Sequence, residues 1–394
     1  MGNLAGRYEK KIINQELAVP GDVVLAELDA EIIWNQDNPA IKILLPIFDG
    51  LNINSLLFSL PAEPYRTIIG QLSENAKDKV TPKDNETRTF LHDIPVIKSF
   101  SSKEIIEKLK NRKCVIIKDH GITTYGTVSP EQAYVNYSSA LFSCFVKYFA
   151  DFLKNAKLKK LNASQINAFN KVLSFLKPLP EICFKLIKGP FSSEKSICEA
   201  ISQAGKMVVN YGLVDSVMGN ISYRHNDMLY ISQTGSFLDE LESCIDPCPM
   251  DNSSCIGITA SSELPTHLAI TRNTSLCATL HGHPKFAVIL SMICEKEEEC
   301  KFNNSCHIKC PEKRFINGIP VVIGESGTGP RSILKTVPQA IKDHKSAIVY
   351  GHGVFTAGDK DFNDPFLQLY LIEKMCREKY FNELKKAGIM INLP

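Results

Sequence analysis

The sequence lacks a surplus of either charge. Its 394 residues include 45 Lys and Arg against 43 Asp and Glu, for a formal net charge of +2. Proteins that bind the phosphate backbone of nucleic acids carry a basic excess, so the composition does not indicate a nucleic-acid partner. Any recognition of phosphate must then depend on a local site.

Long hydrophobic runs are also missing. A membrane-spanning helix needs about 20 consecutive apolar residues, and the first residues, MGNLAGRYEKKIINQ, lack the apolar core of a secretory signal. We therefore expect a cytoplasmic protein with no membrane partner. In that compartment the 13 cysteines stay mostly reduced, and clustered ones favour metal binding over disulfides.

Glycine-rich nucleotide-binding turns are absent too, since the chain has neither a Gly-x-Gly-x-x-Gly turn nor a Walker loop. The chain does contain alternating strand and helix patterns. Short apolar runs such as IPVVI (319–323) and AIVYG (347–351) predict strands, and amphipathic segments such as 364–387 predict helices. This mixture predicts a layered α/β fold.

Proline and glycine cluster in mid-chain, in the segment FLKPLPEICFKLIKGPFSS at 175–193. Segments rich in proline and glycine are typical of a boundary between folded units. We predict one domain at residues 1–175, a linker at 176–191 and a second domain at 192–394.

The two halves contain a weak internal repeat. LHDIPVI (91–97) resembles INGIPVV (316–322), and CVIIKDHGITTYG (114–126) resembles AIVYGHGVFTAG (347–358). The second pair shares the order His-Gly-apolar-x-Thr-x-Gly, which begins at His120 and at His352. We interpret the halves as two related α/β units.

Three histidines in the second half form a candidate metal site. His281 and His283 lie two residues apart at the end of an apolar strand, where alternate side chains point the same way, and His352 lies at the end of another strand. Three neutral imidazoles bind zinc and leave an open position for substrate. The alternative is that these are core or capping histidines.

The phrase SSELPTHLAI (261–270) supplies a second candidate feature. Ser261 and Ser262 precede a helix that contains Pro265 in its first turn. Hydroxyl groups and the free N–H groups of a helix start can bind an anion, and Glu263 beside them is an acid–base candidate. A plain helix cap explains the same pattern.

Five phrases together carry a family resemblance: MGNIS (218–222), YISQTGSFLDEL (230–241), SSELPTHLAI (261–270), LHGHPKFAV (280–288) and YGHGVFTAG (350–358). In this order they resemble the class II aldolase/adducin family over about residues 192–386. The resemblance implies an α/β/α class II aldolase-like domain, preceded by a degenerate α/β copy of it.

The resemblance also implies an activity. His281, His283 and His352 would bind Zn²⁺ or another divalent metal, and Glu263 would transfer the proton. The substrate phosphate would lie against Asn220, Ser222, Thr234, Gly235, Ser261 and Ser262. The implied protein is a zinc-dependent lyase, an aldolase that cleaves a ketose 1-phosphate type of sugar phosphate by an enediolate mechanism.

Two alternatives remain open at this point. One is an epimerase or dehydratase that acts on a sugar phosphate with the same zinc site. The other is a non-catalytic, adducin-like binding or scaffold protein, although the histidine triad argues for chemistry.

The first half keeps His120 but has no His-x-His and no Ser-Ser-Glu phrase. Residues 51–72 occupy the place of the His-x-His segment, with Asn52 and Asn54 as poor ligands, so we expect a non-catalytic domain. The resemblance further implies a homo-oligomer with interfacial active sites, in which the fused copy replaces a neighbouring subunit or acts as a regulatory, ligand-binding unit.

Four cysteines form a separate cluster in a polar segment of the second half. Cys294, Cys300, Cys306 and Cys310 could bind a structural zinc or an iron–sulfur cluster. Their spacing is not the usual Cys-x-x-Cys, so free thiols or a disulfide are alternatives, and bound iron would indicate a redox role.

Overall fold

The computed structural model describes residues 4–251, 253, 259–297, 299–303, 305–325 and 328–391. The chain divides into two compact units. One extends to Pro178 and includes the segment from Leu384, and the other is Leu179–Glu383. The division between Pro178 and Leu179 falls inside the segment 176–191. No helix among the described residues is long and apolar enough to cross a membrane.

The first unit is built on a seven-stranded sheet. Its strands are β1 (Ala18–Leu28), β2 (Ile32–Trp34), β3 (Ser55–Pro61), β4 (Lys79–Val80), β5 (Ile94–Ile97), β6 (Cys114–Ile117) and β7 (Gly121–Gly126). Its helices are α1 (Leu4–Asn14), α2 (Ile41–Leu44), α3 (Pro46–Gly50), α4 (Tyr65–Asn75), α5 (Asn85–Leu91), α6 (Ser102–Leu109), α7 (Pro130–Lys157) and α8 (Ala163–Ser174).

The second unit is built on an eight-stranded sheet. Its strands are β8 (Asn220–His225), β9 (Met228–Ser232), β10 (Ile245–Pro249), β11 (Ala278–Gly282), β12 (Arg314–Ile316), β13 (Ile319–Val322), β14 (Ser346–Val349) and β15 (Val354–Gly358). Its helices are α9 (Glu194–Asn210), α10 (Leu264–Asn273), α11 (Lys285–Ser291), α12 (Val337–His344) and α13 (Asn363–Lys386), with a 3₁₀ turn at Ile333–Lys335.

Helices cover these sheets because successive side chains of a strand point to opposite faces. In the first unit, Val24, Leu56 and Val115 pack with side chains of α2, α3 and α6 in one buried cluster. Their neighbours Leu25 and Leu57 are also fully buried but lie outside that cluster, on the face that α7 covers. The layered α/β prediction is confirmed.

Local sequence signals explain where several helices begin. The Ser193 side chain accepts a hydrogen bond from the Ser196 backbone N–H at 3.3 Å and so starts α9 with a capping box. Asn162 does the same for α8 through the Gln165 N–H at 2.9 Å. These side chains satisfy backbone donors that have no partner inside the helix.

The two sheets have the same topology. The strand order is β2-β1-β3-β7-β6-β5-β4 in the first unit and β10-β9-β8-β11-β15-β14-β13-β12 in the second. Apart from the extra edge strand β10, each strand of one sheet has a counterpart in the other. The parallel strand pairs of the described residues also correspond, with β5 beside β6 and β13 beside β14. The fold thus supports a repeat of one α/β unit.

The strand register shows what the first unit has in place of the histidines. Phe58 faces Thr123 across β3 and β7, as His281 faces Phe355 across β11 and β15. Two residues later, Leu60 takes the position of His283. The expectation that Asn52 and Asn54 stand there was wrong, because sheet register fixes the correspondence six residues further along.

The same register carries over to the neighbouring strand. Val24 pairs with Phe58, as Asn220 pairs with His281. Two residues further along each strand, Ala26 corresponds to Ser222. Polar positions of the second unit are therefore occupied by apolar side chains in the first.

Candidate active site

The three candidate ligands come from the centre of the second sheet. His281 is on β11, paired on one side with Asn220 of β8 and on the other with Phe355 of β15. His283 follows the end of that strand. His352 lies in the tight turn between β14 and β15, where Gly351 has the positive φ of 58° that the turn requires.

The structure brings these three imidazoles together. Nε2 of His281 lies 3.0 Å from Nε2 of His283 and 3.1 Å from Nε2 of His352. All three side chains are buried, with 1 to 3% of each residue exposed. Among the described residues, they are the group whose arrangement could hold a metal ion.

The hydrogen bonds of His281 test whether a cation fits this cluster. Its Nδ1 lies 3.0 Å from the carbonyl oxygen of Val354, so Nδ1 carries the proton and Nε2 presents a lone pair. That lone pair faces two further Nε2 atoms at hydrogen-bond distance. Three buried Nε2 atoms this close together suit the ligands of a shared cation, and a backbone carbonyl that holds the other ring nitrogen is typical of metal-ligating histidines.

Burial also keeps these rings in the form that binds metal. It lowers the pKa of His281 to about 4 and lowers the pKa of His283 well below its ordinary value. Both rings are therefore neutral near pH 7. Metal ligation by histidine requires this neutral form.

Glu263 lies against the imidazole cluster. Its carboxylate oxygens are 3.4 Å from Nε2 of His281 and 3.2 Å from Nε2 of His352. Burial raises its pKa, but the two imidazoles and the Asn220 amide lower it more, and the net pKa is well below the ordinary value. Glu263 is thus a carboxylate placed to accept a proton beside the candidate metal position.

A chain of buried hydrogen bonds connects Glu263 to side chains of β8 and α10. The Asn220 side-chain amide donates to Glu263 Oε2 at 2.9 Å, and Asn220 Oδ1 lies 2.5 Å from Nε2 of His267. Nδ1 of His267 lies 2.7 Å from the Ser222 hydroxyl. Sequence reasoning missed His267, although its position one helical turn after Glu263, on the same face of α10, was a usable signal.

The candidate phosphate residues differ in their exposure. Thr234 and Gly235 are exposed in the turn after β9, and Ser262 is exposed at the start of α10. A bridge between Gln233 and Ala260 places these two segments side by side. Ser261 is buried, and its hydroxyl accepts from the Glu263 backbone N–H at 3.3 Å.

The remaining two phosphate candidates belong to the buried chain. Ser222 has no exposed surface, and its hydroxyl is bonded to His267, so the folded chain leaves it no surface for a substrate phosphate. Asn220 is 6% exposed and keeps one amide hydrogen beyond the bond to Glu263.

Comparison with known proteins identifies the family to which the second unit is similar. The family model "Class II Aldolase and Adducin N-terminal domain" matches residues 199–380. An L-fuculose phosphate aldolase of Methanocaldococcus jannaschii is 30% identical over 173 residues, which are 43% of this chain and 87% of that protein. The chain belongs to the class II aldolase and adducin family.

A second protein sequence and one solved structure are also similar to about half of the chain or less. An L-fuculose phosphate aldolase of Methanococcus maripaludis is 28% identical over 170 residues, 42% of this chain and 87% of the relative. The crystal structure of L-fuculose-1-phosphate aldolase from Thermus thermophilus is 20% identical, covers 49% of this chain and 98% of its own, and has a TM-score of 0.40.

The four candidate cysteine ligands lie within the range that matches the class II aldolase family, between α11 and β12. All four are free and half-buried. The thiols of Cys306 and Cys310 contact backbone carbonyls of their own segment. In the described part of the chain, no three of the four sulfur atoms lie within 4.8 Å of one another, and a second metal centre there stays a prediction.

Proposed function

We propose that the second unit is a divalent-metal-dependent, aldolase-type lyase that cleaves a sugar phosphate of the ketose 1-phosphate type. One observation carries the proposal: the buried Nε2 atoms of His283 and His352 lie within 3.1 Å of His281 Nε2, with the Glu263 carboxylate beside them. The names of the relatives point to the same substrate class.

His281, His283 and His352 would hold the metal, and Zn²⁺ is the ion that best suits three neutral imidazoles. When bound, it supplies a Lewis acid that stabilises negative charge on substrate oxygens. Glu263 accepts or returns the proton at the carbon where the C–C bond breaks, because its carboxylate is ionised and held in place by Asn220.

The substrate phosphate would bind beside this centre. Thr234, Gly235 and Ser262 present hydroxyl and backbone N–H groups in adjacent exposed segments, and Ser261 and Asn220 flank Glu263. Donors of this kind form anion sites without a charged side chain. Such a site suits a chain whose net charge is only +2.

The first unit is proposed to be non-catalytic. Phe58, Leu60 and Val24 occupy the positions that His281, His283 and Asn220 hold in the second unit, and none of these apolar side chains can ligate a metal or move a proton. We propose that the full chain forms a homo-oligomer with active sites at its interfaces. Light scattering of the purified protein tests whether the homo-oligomer forms.

The test of function combines metal analysis with product analysis. The full chain is purified, its metal content is measured, and ketose 1-phosphates are offered while dihydroxyacetone phosphate release is followed enzymatically. We expect about one divalent ion per chain and release of a triose phosphate, with both lost in His281→Ala. The exposed His344→Ala is the matched control and retains both.

Other outcomes would contradict the proposal. A product with all its carbons retained would indicate an epimerase or a dehydratase instead of a lyase. Wild-type protein that binds no divalent ion, or His281→Ala that binds it as well as wild type, would favour the non-catalytic adducin type.

A further inference from the structure

The chain Ser222–His267–Asn220–Glu263 is shielded from solvent along its whole length. Ser222 and His267 have no exposed surface, and Asn220 and Glu263 are 6% and 5% exposed. Its contacts of 2.7, 2.5 and 2.9 Å are all within hydrogen-bond distance. Water does not compete for these groups, so the direction of each hydrogen bond depends on the neighbouring ones.

The direction of the chain follows from the chemistry of a neutral imidazole, which has one donor and one acceptor. Burial lowers the pKa of His267 to about 3, so the ring is neutral. A Ser222 hydroxyl that donates to Nδ1 leaves the proton on Nε2. The Nε2–H then donates to Asn220 Oδ1, which turns the Asn220 NH₂ group towards Glu263.

The opposite direction conflicts with the placement of the Asn220 amide, whose Nδ2 faces Glu263 Oε2 at 2.9 Å and whose Oδ1 faces His267 Nε2 at 2.5 Å. If Nδ1 of His267 carried the proton, Nε2 and the Asn220 Oδ1 would be two acceptors facing each other with no hydrogen between them. Only the first direction supplies a donor to both contacts of the amide.

We propose that His267 is a positioning residue, which fixes the Asn220 amide so that an N–H faces Glu263 and keeps this carboxylate oriented and ready to accept a proton. This inference rests on the proposed lyase function. His267 bonds to Ser222 and Asn220, and no bond between it and the three imidazoles is found in the described part of the chain. Its loss therefore lowers kcat more than it raises KM, because it reaches the site through Asn220, and metal content stays at the wild-type value.

Three variants of the full chain test this role. His267→Phe keeps a planar ring but removes both nitrogen atoms, so Asn220 loses its fixed orientation, and we expect a 10- to 100-fold lower kcat, the usual range for residues that orient a site. His267→Gln retains a side-chain N–H that can reach Asn220, and we expect a loss of less than about 10-fold. The matched control is Thr271→Val, one turn further along α10. Within the described ranges, the Thr271 hydroxyl contacts backbone carbonyls of its own helix, so we expect this variant to retain wild-type kcat.

A second measurement does not depend on activity. In ¹⁵N NMR spectra of the metal-free protein, the His267 ring is expected as a single tautomer with the proton on Nε2. Ser222→Ala removes the group that selects this tautomer, so the variant is expected to show a mixture.

Several results would overturn the proposal. His267→Phe with wild-type kcat, equal losses in His267→Phe and His267→Gln, or a loss that tracks metal content would each contradict a positioning role. A His267 ring protonated on Nδ1 in the wild type would do the same. If no substrate were cleaved by the wild type while the NMR result held, the lyase function would fail and the hydrogen-bond chain would stand.

Discussion

The close packing around Gly353 leads to a prediction in which no candidate metal ligand is itself substituted. A Cβ added to Gly353 would overlap the carbonyl oxygen of Gly282 and lie 2.8 Å from Cε1 of His281 and 3.1 Å from Cδ2 of His283. Ordinary carbon contacts begin near 3.5 Å. Gly353→Ala therefore pushes on two candidate metal ligands and on the strand between them.

The size of the effect follows from these distances. Relief of the overlap with Cε1 of His281, which is 2.8 Å away, requires the ring to move by about 0.7 Å, whereas the length of a coordination bond varies by only about 0.2 Å. We expect metal affinity to fall at least 10- to 100-fold, as for other changes that misalign ligands. Crowding in the core should also lower the free energy of unfolding by about 1–3 kcal/mol.

Chelator competition measures the metal affinity, and urea unfolding of the metal-free protein measures the stability. The control is Gly329→Ala, because a Cβ at Gly329 meets no atom within 4 Å. Wild-type metal affinity in Gly353→Ala would refute the argument that this glycine makes room for the imidazoles. Equal losses in both variants would refute it as well.

Three further predictions concern the first unit. His120→Ala is expected to leave the metal content unchanged, because apolar side chains hold the other two ligand positions there; a lower metal content would contradict the assignment of the site to the second unit. Arg112 hydrogen bonds hold the pKa of Asp93 below its ordinary value, so Asp93 contributes stability above about pH 4 that is lost as pH falls further. Asp93→Asn should cost about 1–2 kcal/mol at pH 7 and progressively less as pH falls below about 4, and a cost independent of pH in denaturant titrations would contradict this. Phe169 is fully buried and stacks on Phe152 with ring centroids 3.7 Å apart. Phe169→Ala should therefore lower the free energy of unfolding by about 3–5 kcal/mol. A decrease of less than about 1 kcal/mol would argue against that packing.

The elements near the site were predictable because their signals are local. Alternating apolar residues and the Pro265 helix start placed strands and helices correctly around His281 and Glu263. The repeated His-Gly-x-x-Thr-x-Gly phrase also indicated two related units. The spacing of His267 from Glu263 was a usable local signal, but it does not identify Ser222 and Asn220 as partners, because they lie on a strand that only the tertiary structure packs against α10.

The sequence by itself determined the α/β alternation, the repeat, and which side chains are able to ligate a metal, since these depend on residue type and on spacing within one element. Only the tertiary structure decided which of them meet. Sheet register set His281 between Asn220 and Phe355 and put Phe58 in the equivalent place in the first unit, and the turn at Gly351 brought His352 to the same point. Register and packing depend on contacts between residues far apart in the chain, where a shift of one residue would turn every side chain to the opposite face.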